Sequence, residues 1–273
     1  MMKKIQFTTL FLALFLAAAI PGCTDLGPGG PEVTAQFDDE YEADDSTILR
    51  VVNSNGQISI NSREGDTITL NTTKKSRFGE DELENIEITA IKNNNEITIK
   101  ATSLTVIPPM VSVDMDITVP TNVTVDSVEQ SNGEIRISGT KGGDMSASCS
   151  NGEITMNNVD GYVSARVDNG NIEIRETTGI DELEVSNGNI VAEIYDIRNG
   201  ATIKTINGEI TVSINPSLNA AIEMKTTNGI ISVKGIALNF TRTEVTHMEG
   251  VLGNGGDKIT IENTNGNVNV KAL

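Results

Sequence analysis

Ser131-Asn132-Gly133-Glu134-Ile135-Arg136-Ile137 returns, with small changes, as Ser150-Asn151-Gly152-Glu153-Ile154-Thr155-Met156, as Asp168-Asn169-Gly170-Asn171-Ile172-Glu173-Ile174 and as Ser186-Asn187-Gly188-Asn189-Ile190-Val191-Ala192. The shared kernel is Asn-Gly followed by apolar residues two apart. It recurs at Asn55-Gly56, Asn132-Gly133, Asn151-Gly152, Asn169-Gly170, Asn187-Gly188, Asn207-Gly208, Asn228-Gly229 and Asn265-Gly266. From Asn132 to Asn228 the successive steps are 19, 18, 18, 20 and 21 residues, and the last, to Asn265, is 37, close to two of them. A fixed period near 20 points to a solenoid.

The apolar residues after each corner (Ile135/Ile137, Ile172/Ile174, Ile210/Val212, Val268/Val270) and before it (Ala147/Cys149, Leu183/Val185, Ile259/Ile261) alternate with polar ones. Period two means strands, so each repeat holds two of them. Asn-Gly is also the preferred type I′ hairpin turn, which would give an antiparallel meander or sandwich. The return of Asn-Gly before the same strand at a constant step favours stacked equivalent corners instead. There Gly takes a backbone conformation that other residues resist, and Asn hydrogen-bonds to its neighbour one coil away. The expected fold is all-β: a single-stranded parallel β-helix with 18–21 residues per coil, right-handed, with coils about 4.8 Å apart.

The expected interior is a dry stack of Ile, Val, Ala and Met, with Cys149 a small core hydrophobe among them. Outward positions carry Glu134, Glu153, Asn171, Asn189, Glu209 and Asn267, and Ile230 breaks that rule. Regular repeats span 127–273. Residues 46–126 are less regular, interrupted by a charged loop from Lys74 to Glu84, and read as a cap with wide first coils that stops the open end from pairing with other chains.

Upstream, Lys3 and Lys4 precede an apolar run from Ile5 to Ile20, the pattern of a secretory signal over 1–22. Ile20-Pro21-Gly22-Cys23 resembles the bacterial lipobox, with Pro21 in place of the usual small residue, and implies lipid attachment at Cys23. Thr24, rather than Asp, follows Cys23, which favours the outer membrane or cell surface over the inner membrane. Cys149 is then left without a disulfide partner. Residues 23–45, rich first in Gly and Pro and then in Asp and Glu, read as a solvated linker that anchors the domain to the membrane.

The chain has 38 acidic and 20 basic residues, a formal charge of −18. Loss of Lys3 and Lys4 takes the basic count to 18 and the charge to −20. Such a chain repels phosphate backbones, so nucleic acid is excluded as a partner. With one His, at 247 in an irregular stretch, Ser-His-Asp chemistry and His-rich metal sites have no support. Glu134, Glu153 and Glu209 could form a carboxylate column for calcium or glycosidic bonds, but Asn171 and Asn189 dilute it. Gly253-Asn254-Gly255-Gly256-Asp257 occurs once, where calcium-binding β-rolls need a tandem array, so it reads as a turn. Arg136, Arg166 and Arg175 read as surface charges. With no Trp, and with Tyr162 and Tyr195 alone among the regular coils, platforms for sugar rings are few. No catalytic residue, metal site or cofactor is expected.

Ile117-Thr118-Val119-Pro120, the Asn-Gly repeats from Ser131, Gly250-Val251-Leu252-Gly253-Asn254-Gly255-Gly256 and Thr264-Asn265-Gly266-Asn267-Val268-Asn269-Val270 together resemble the bacterial putative-adhesin β-repeat family. They are also similar to the head domain of putative autotransporter adhesins. The resemblance covers about Ile48 to Leu273 and implies export and a β-helical fold without a defined catalytic site. The expected protein is a non-enzymatic cell-envelope lipoprotein, a β-helical binding or structural module of the adhesin type with an unidentified protein or glycan ligand. The alternative from another class is a β-helix polysaccharide lyase or hydrolase.

Overall fold

The computed structural model describes residues 29–141 and 143–273, so the signal segment and Cys23 lie outside the described residues. The chain runs through β1 (Val33–Glu42), β2 (Ile48–Arg63), β3 (Thr67–Ser76), the short helix α1 (Glu80–Glu84), β4 (Ile86–Asn93), β5 (Glu96–Ser103) and β6 (Val111–Pro120). The repeats begin with β7 (Thr124–Ser138), β8 (Met145–Asn157) and β9 (Tyr162–Arg175), single long strands that pass through their Asn-Gly corners. Later repeats are split at the corner into β10 (Gly179–Asn187) and β11 (Ile190–Ile194), β12 (Ala201–Asn207) and β13 (Ile210–Ile214), and β14 (Ala220–Asn228) and β15 (Ile231–Lys234). A hairpin of β16 (Leu238–Glu244) and β17 (His247–Leu252) precedes the last repeat, β18 (Lys258–Asn265) and β19 (Val268–Ala272). The fold is an all-β solenoid built on an open sheet.

The repeats stack through parallel, in-register ladders, β2 on β7, β7 on β8 and β8 on β9, and then β10/β11 and β12/β13 in turn. Register is set by burial. Ile58, Ile135, Ile154, Ile172, Ile190, Ile210, Val268 and Ile231 sit on successive rungs of one inward column, all buried. A slip of one residue would turn that column outward, at roughly 1.5–3 kcal/mol per side chain.

The stacking order departs from the chain order at both ends. β18/β19 does not follow β14/β15 outward but lies between it and β12/β13, parallel to both. The 37-residue step from Asn228 to Asn265 is therefore not two further steps along an axis: the hairpin β16–β17 turns the chain back, and the last repeat enters a gap between earlier ones. At the other end β2 is flanked by β5 and β6 on one side and β7 on the other. Antiparallel strands cover the terminal rungs: β4 on β5, β3 on β6 and β1 on β3 at one end, β17 on β14 and β16 on β17 at the other.

Two expectations need correction here. The linker expected over 23–45 is shorter, because Val33–Glu42 is β1, paired along its length with β3. Val33, Ala35, Phe37 and Tyr41 pack on the core from one face. Asp38, Glu40 and Glu42 stand on the other, where charge discourages further pairing at an edge. The loop expected from Lys74 to Glu84 instead contains the end of β3 and then α1, whose Leu83 is buried.

Candidate functional site

The Asn-Gly corners form one continuous edge of the molecule. Each Asn side-chain amide donates to the side-chain oxygen of the Asn on the next rung: Asn132 to Asn55, Asn151 to Asn132, Asn169 to Asn151, Asn187 to Asn169, Asn207 to Asn187, Asn265 to Asn207 and Asn228 to Asn265, all at 2.8–3.0 Å. Beneath them the glycines stack backbone on backbone, so closely that a Cβ at any of Gly133, Gly152, Gly170, Gly188, Gly208 or Gly266 would overlap the carbonyl of the glycine before it in the stack.

A second set of polar groups supports this edge from inside. Two residues before the corner, Thr205 Oγ1 donates to Gly188 O (3.1 Å), Asn263 Nδ2 to Gly208 O (2.9 Å) and Thr226 Oγ1 to Gly266 O (2.8 Å). Gln130 donates to Gly56 O, and Cys149 Sγ lies 3.4 Å from Gly133 O. Asn53 Nδ2 reaches Val113 O at 2.8 Å. Cys149, its thiol pKa pushed up by burial, therefore also faces a corner carbonyl besides filling core space. The signal for these caps was legible: Asn, Gln and Thr occupy an inward phase that otherwise holds apolar residues, and a buried polar side chain needs a partner.

On the face before the corners, outward side chains of consecutive rungs alternate in charge: Arg166, Glu184, Lys204, Glu262, Lys225. Arg166 Nη1 lies 2.5 Å from Glu184 Oε2, and Lys204 Nζ lies 3.6 Å from Glu262 Oε2. These groups line a shallow groove with Thr205, Ile206 and Thr227. Each exposed pair is worth at most about 1 kcal/mol, so the row's role is register and surface character rather than stability. Of the two other arginines read as surface charges, Arg136 pairs with Glu134 (2.5 Å), and Arg175 with Glu173 (2.5 Å) and Glu193 (3.3 Å).

Two denser clusters lie elsewhere. Arg198 stacks over Tyr162 at 4.1 Å and holds Asp144 and Asp181, each at 2.7 Å, while Tyr162 OH donates to Asp196 (2.8 Å). Asp181 and Asp144 raise the Arg198 pKa further. Burial, and then Asp196, pushes Tyr162 up to about 12. Burial works upward on Asp144, but the Tyr162 amide and Arg198 outweigh it and hold that carboxyl below its ordinary range.

The second cluster contains His247, which lies in β17 rather than in an irregular stretch. Arg242 Nη1 is 2.8 Å from its Nδ1, and Arg can only donate. The ring proton is thereby assigned to Nε2, which faces Glu223 (3.1 Å) and Glu249 (2.9 Å). Although Glu223, His247 and Glu249 converge as a metal triad would, Nε2 then has no lone pair to give, and Lys225 and Lys258 already occupy Glu223. Those lysines, Lys225 first, bring the Glu223 pKa down to about 2. A carboxyl depressed on folding stabilises the fold above its ordinary value of 4.5 and loses that contribution as pH falls towards 2. Glu223→Gln should therefore flatten the acid limb of the stability profile. Urea midpoints measured across that window check this, and an unchanged acid limb would contradict it.

The outward carboxylates do not converge. Glu134 and Glu153 are rung neighbours, but Asn171 and Asn189 separate them from Glu209. At the Gly253–Asp257 segment, the Asn254 amide donates to Asn219 and Asp257 accepts from the Asn199 amide, as in a braced turn.

A family model described as Toastrack DUF4097 matches residues 32–271. No curated protein matches the sequence. Among solved structures, the chain is similar to a putative cell adhesion protein from Clostridium sporogenes ATCC 15579, with 13% identity over 87% of this chain and 100% of that one and a TM-score of 0.37. It is similar to a putative adhesin from Bacteroides fragilis NCTC 9343, with 13% identity over 87% and 97% and a TM-score of 0.47. A putative adhesin from Parabacteroides distasonis ATCC 8503 gives 10%, 87% and 97%, and 0.32. These likenesses are distant in sequence and partial in geometry.

Proposed function

The chain belongs to the Toastrack DUF4097 family, and from that premise we propose that it is a lipid-anchored, exported module of the cell envelope whose regular faces bind or hold a protein or glycan partner without chemistry of its own. In this reading Cys23 carries the lipid, the anchor lies in the outer membrane or at the cell surface, and the solenoid is a right-handed single-stranded parallel β-helix. No helix among the described residues is long and apolar enough to cross a membrane.

The observation that carries the reading is that the densest polar clusters are closed on themselves. In the Arg198 and Glu223 groups every resolved shift moves away from neutrality, with carboxyls down and tyrosine and arginine up. General acid–base catalysis needs the opposite, a group poised near the working pH. The lyase alternative would ask Arg198 to neutralise an acidic sugar, yet its guanidinium is taken by Asp144 and Asp181, and Asp196 adds a third carboxylate nearby. What remains is a long face of paired charges on a rigid frame, suited to presenting a surface.

Antibody labelling of intact against permeabilised cells tests this. Labelling of intact cells is the expected result. Labelling only after permeabilisation would remove the adhesive reading, and release of unsaturated sugars from an acidic polysaccharide would replace it with the lyase.

A further inference from the structure

Five of the twelve large apolar side chains left exposed among the described residues lie together at the N-terminal end of the stack. Leu104, Val106, Ile107 and Met110 belong to the loop between β5 and β6, and Phe78 to the turn before α1. Ile107 is 82% exposed and Val106 wholly so. The loop is held from below by polar contacts: the Leu104 amide donates to Asn85 O (2.8 Å), the Met110 amide to Glu82 (3.2 Å) and the Thr105 hydroxyl to Ile107 O (2.7 Å). Both ends of the loop are thus pinned by hydrogen bonds while its apolar side chains face outward, at a cost in water that a monomeric soluble surface does not ordinarily carry.

The start of the described chain is fastened beside this patch. The Gly30 amide donates to Arg77 O at 2.7 Å, next to Phe78, and the Ser76 hydroxyl donates to Met110 O at 3.1 Å. Five residues separate Cys23 from Gly29, and the six Cα-to-Cα steps reach at most about 20 Å. A lipid on Cys23 therefore places this end of the molecule, and not the β16–β17 end, against the bilayer.

We propose that the loop Leu104–Met110, with Phe78, seats in the headgroup–acyl boundary of the bilayer that holds the Cys23 lipid, so that the solenoid stands on the membrane by its N-terminal end. The inference rests on the lipid-anchor reading above. A second, apolar attachment fixes the tilt of the rod, which one covalent tether leaves free. Glu80, Asp81, Glu82 and Glu84 beside the loop would oppose anionic headgroups, so the surface it fits is zwitterionic.

The test uses the lipidated chain in phosphatidylcholine–phosphatidylethanolamine vesicles, with Ile107→Cys carrying an environment-sensitive fluorophore and Asn254→Cys as the distal control. Mass spectrometry of Cys23 is recorded on the same samples. The expected result is quenching of the Ile107 label by lipid-borne quenchers several-fold more strongly than the Asn254 label, and loss of that difference in Val106→Asp while the protein stays with the vesicles. Lipid on Cys23 with both labels equally open to an aqueous quencher would overturn the docking and leave the anchor standing. Absence of lipid from Cys23 would overturn both. Shielding of the Ile107 label without vesicles, rising with protein concentration, would assign the loop to self-association and overturn the proposal.

Discussion

Gly170→Ala is expected to destabilise the solenoid by at least about 3 kcal/mol, the combined size of a strained positive φ and an overpacked contact. Gly170 has φ +140°, and a Cβ there would overlap the Gly152 carbonyl oxygen and lie 2.7 Å from its carbon. Side-chain rotation offers no escape, because the obstacle is backbone. Gly152 cannot retreat either, since it stacks in the same way on Gly133. The substitution must open the ladder between β8 and β9, and with it the Asn151–Asn169 hydrogen bond. Gly65→Ala separates the two causes: Gly65 has φ +155° with open space around its Cβ position, so that variant should lose the conformational part alone. Chemical denaturation of both variants followed by circular dichroism checks the prediction, and equal midpoints would contradict the stacking argument.

How much of this was legible depends on which physical signal each element leaves in the chain. The inward columns were readable because burial forces alternation, and Ile135, Ile154 and Ile172 recur at a constant offset from Asn-Gly. The corner caps at Gln130, Thr205 and Asn263 left the weaker signal of polar residues on an inward phase. β1 was obscured by its own edge chemistry: the acids that protect an unpaired strand also give it the composition of a linker. The clusters around Arg198 and His247 could not be read, because they join residues from different rungs and turns that no spacing connects.

The order of the repeats is the most instructive case. Equal steps favour stacking in chain order, which would set Lys204 beside Lys225 on neighbouring rungs. The interposed β18 puts Glu262 between them and completes an alternating row. Charge order on the outward face was therefore the sequence-level clue to the inserted repeat, and it is a non-local one. Ile230, the apolar exception among outward positions, falls in the repeat that the inserted strands leave outermost, where it is 55% exposed.

That inserted repeat is what makes the molecule one continuous stack, and removing it is the most direct test. A chain ending at Asp257 lacks β18 and β19, which pair on one side with β12 and β13 and on the other with β14 and β15. Its loss leaves a gap of about 10 Å, two strand spacings, and closing it would bring Lys204 against Lys225. Two parallel edges would also open to other chains. Limited proteolysis read by mass spectrometry should show cleavage throughout Ala220–Leu252 with the repeats up to Ile214 still resistant. A truncated chain in which Ala220–Leu252 stay protected as in the full protein would contradict the interposed order and the continuous stack with it.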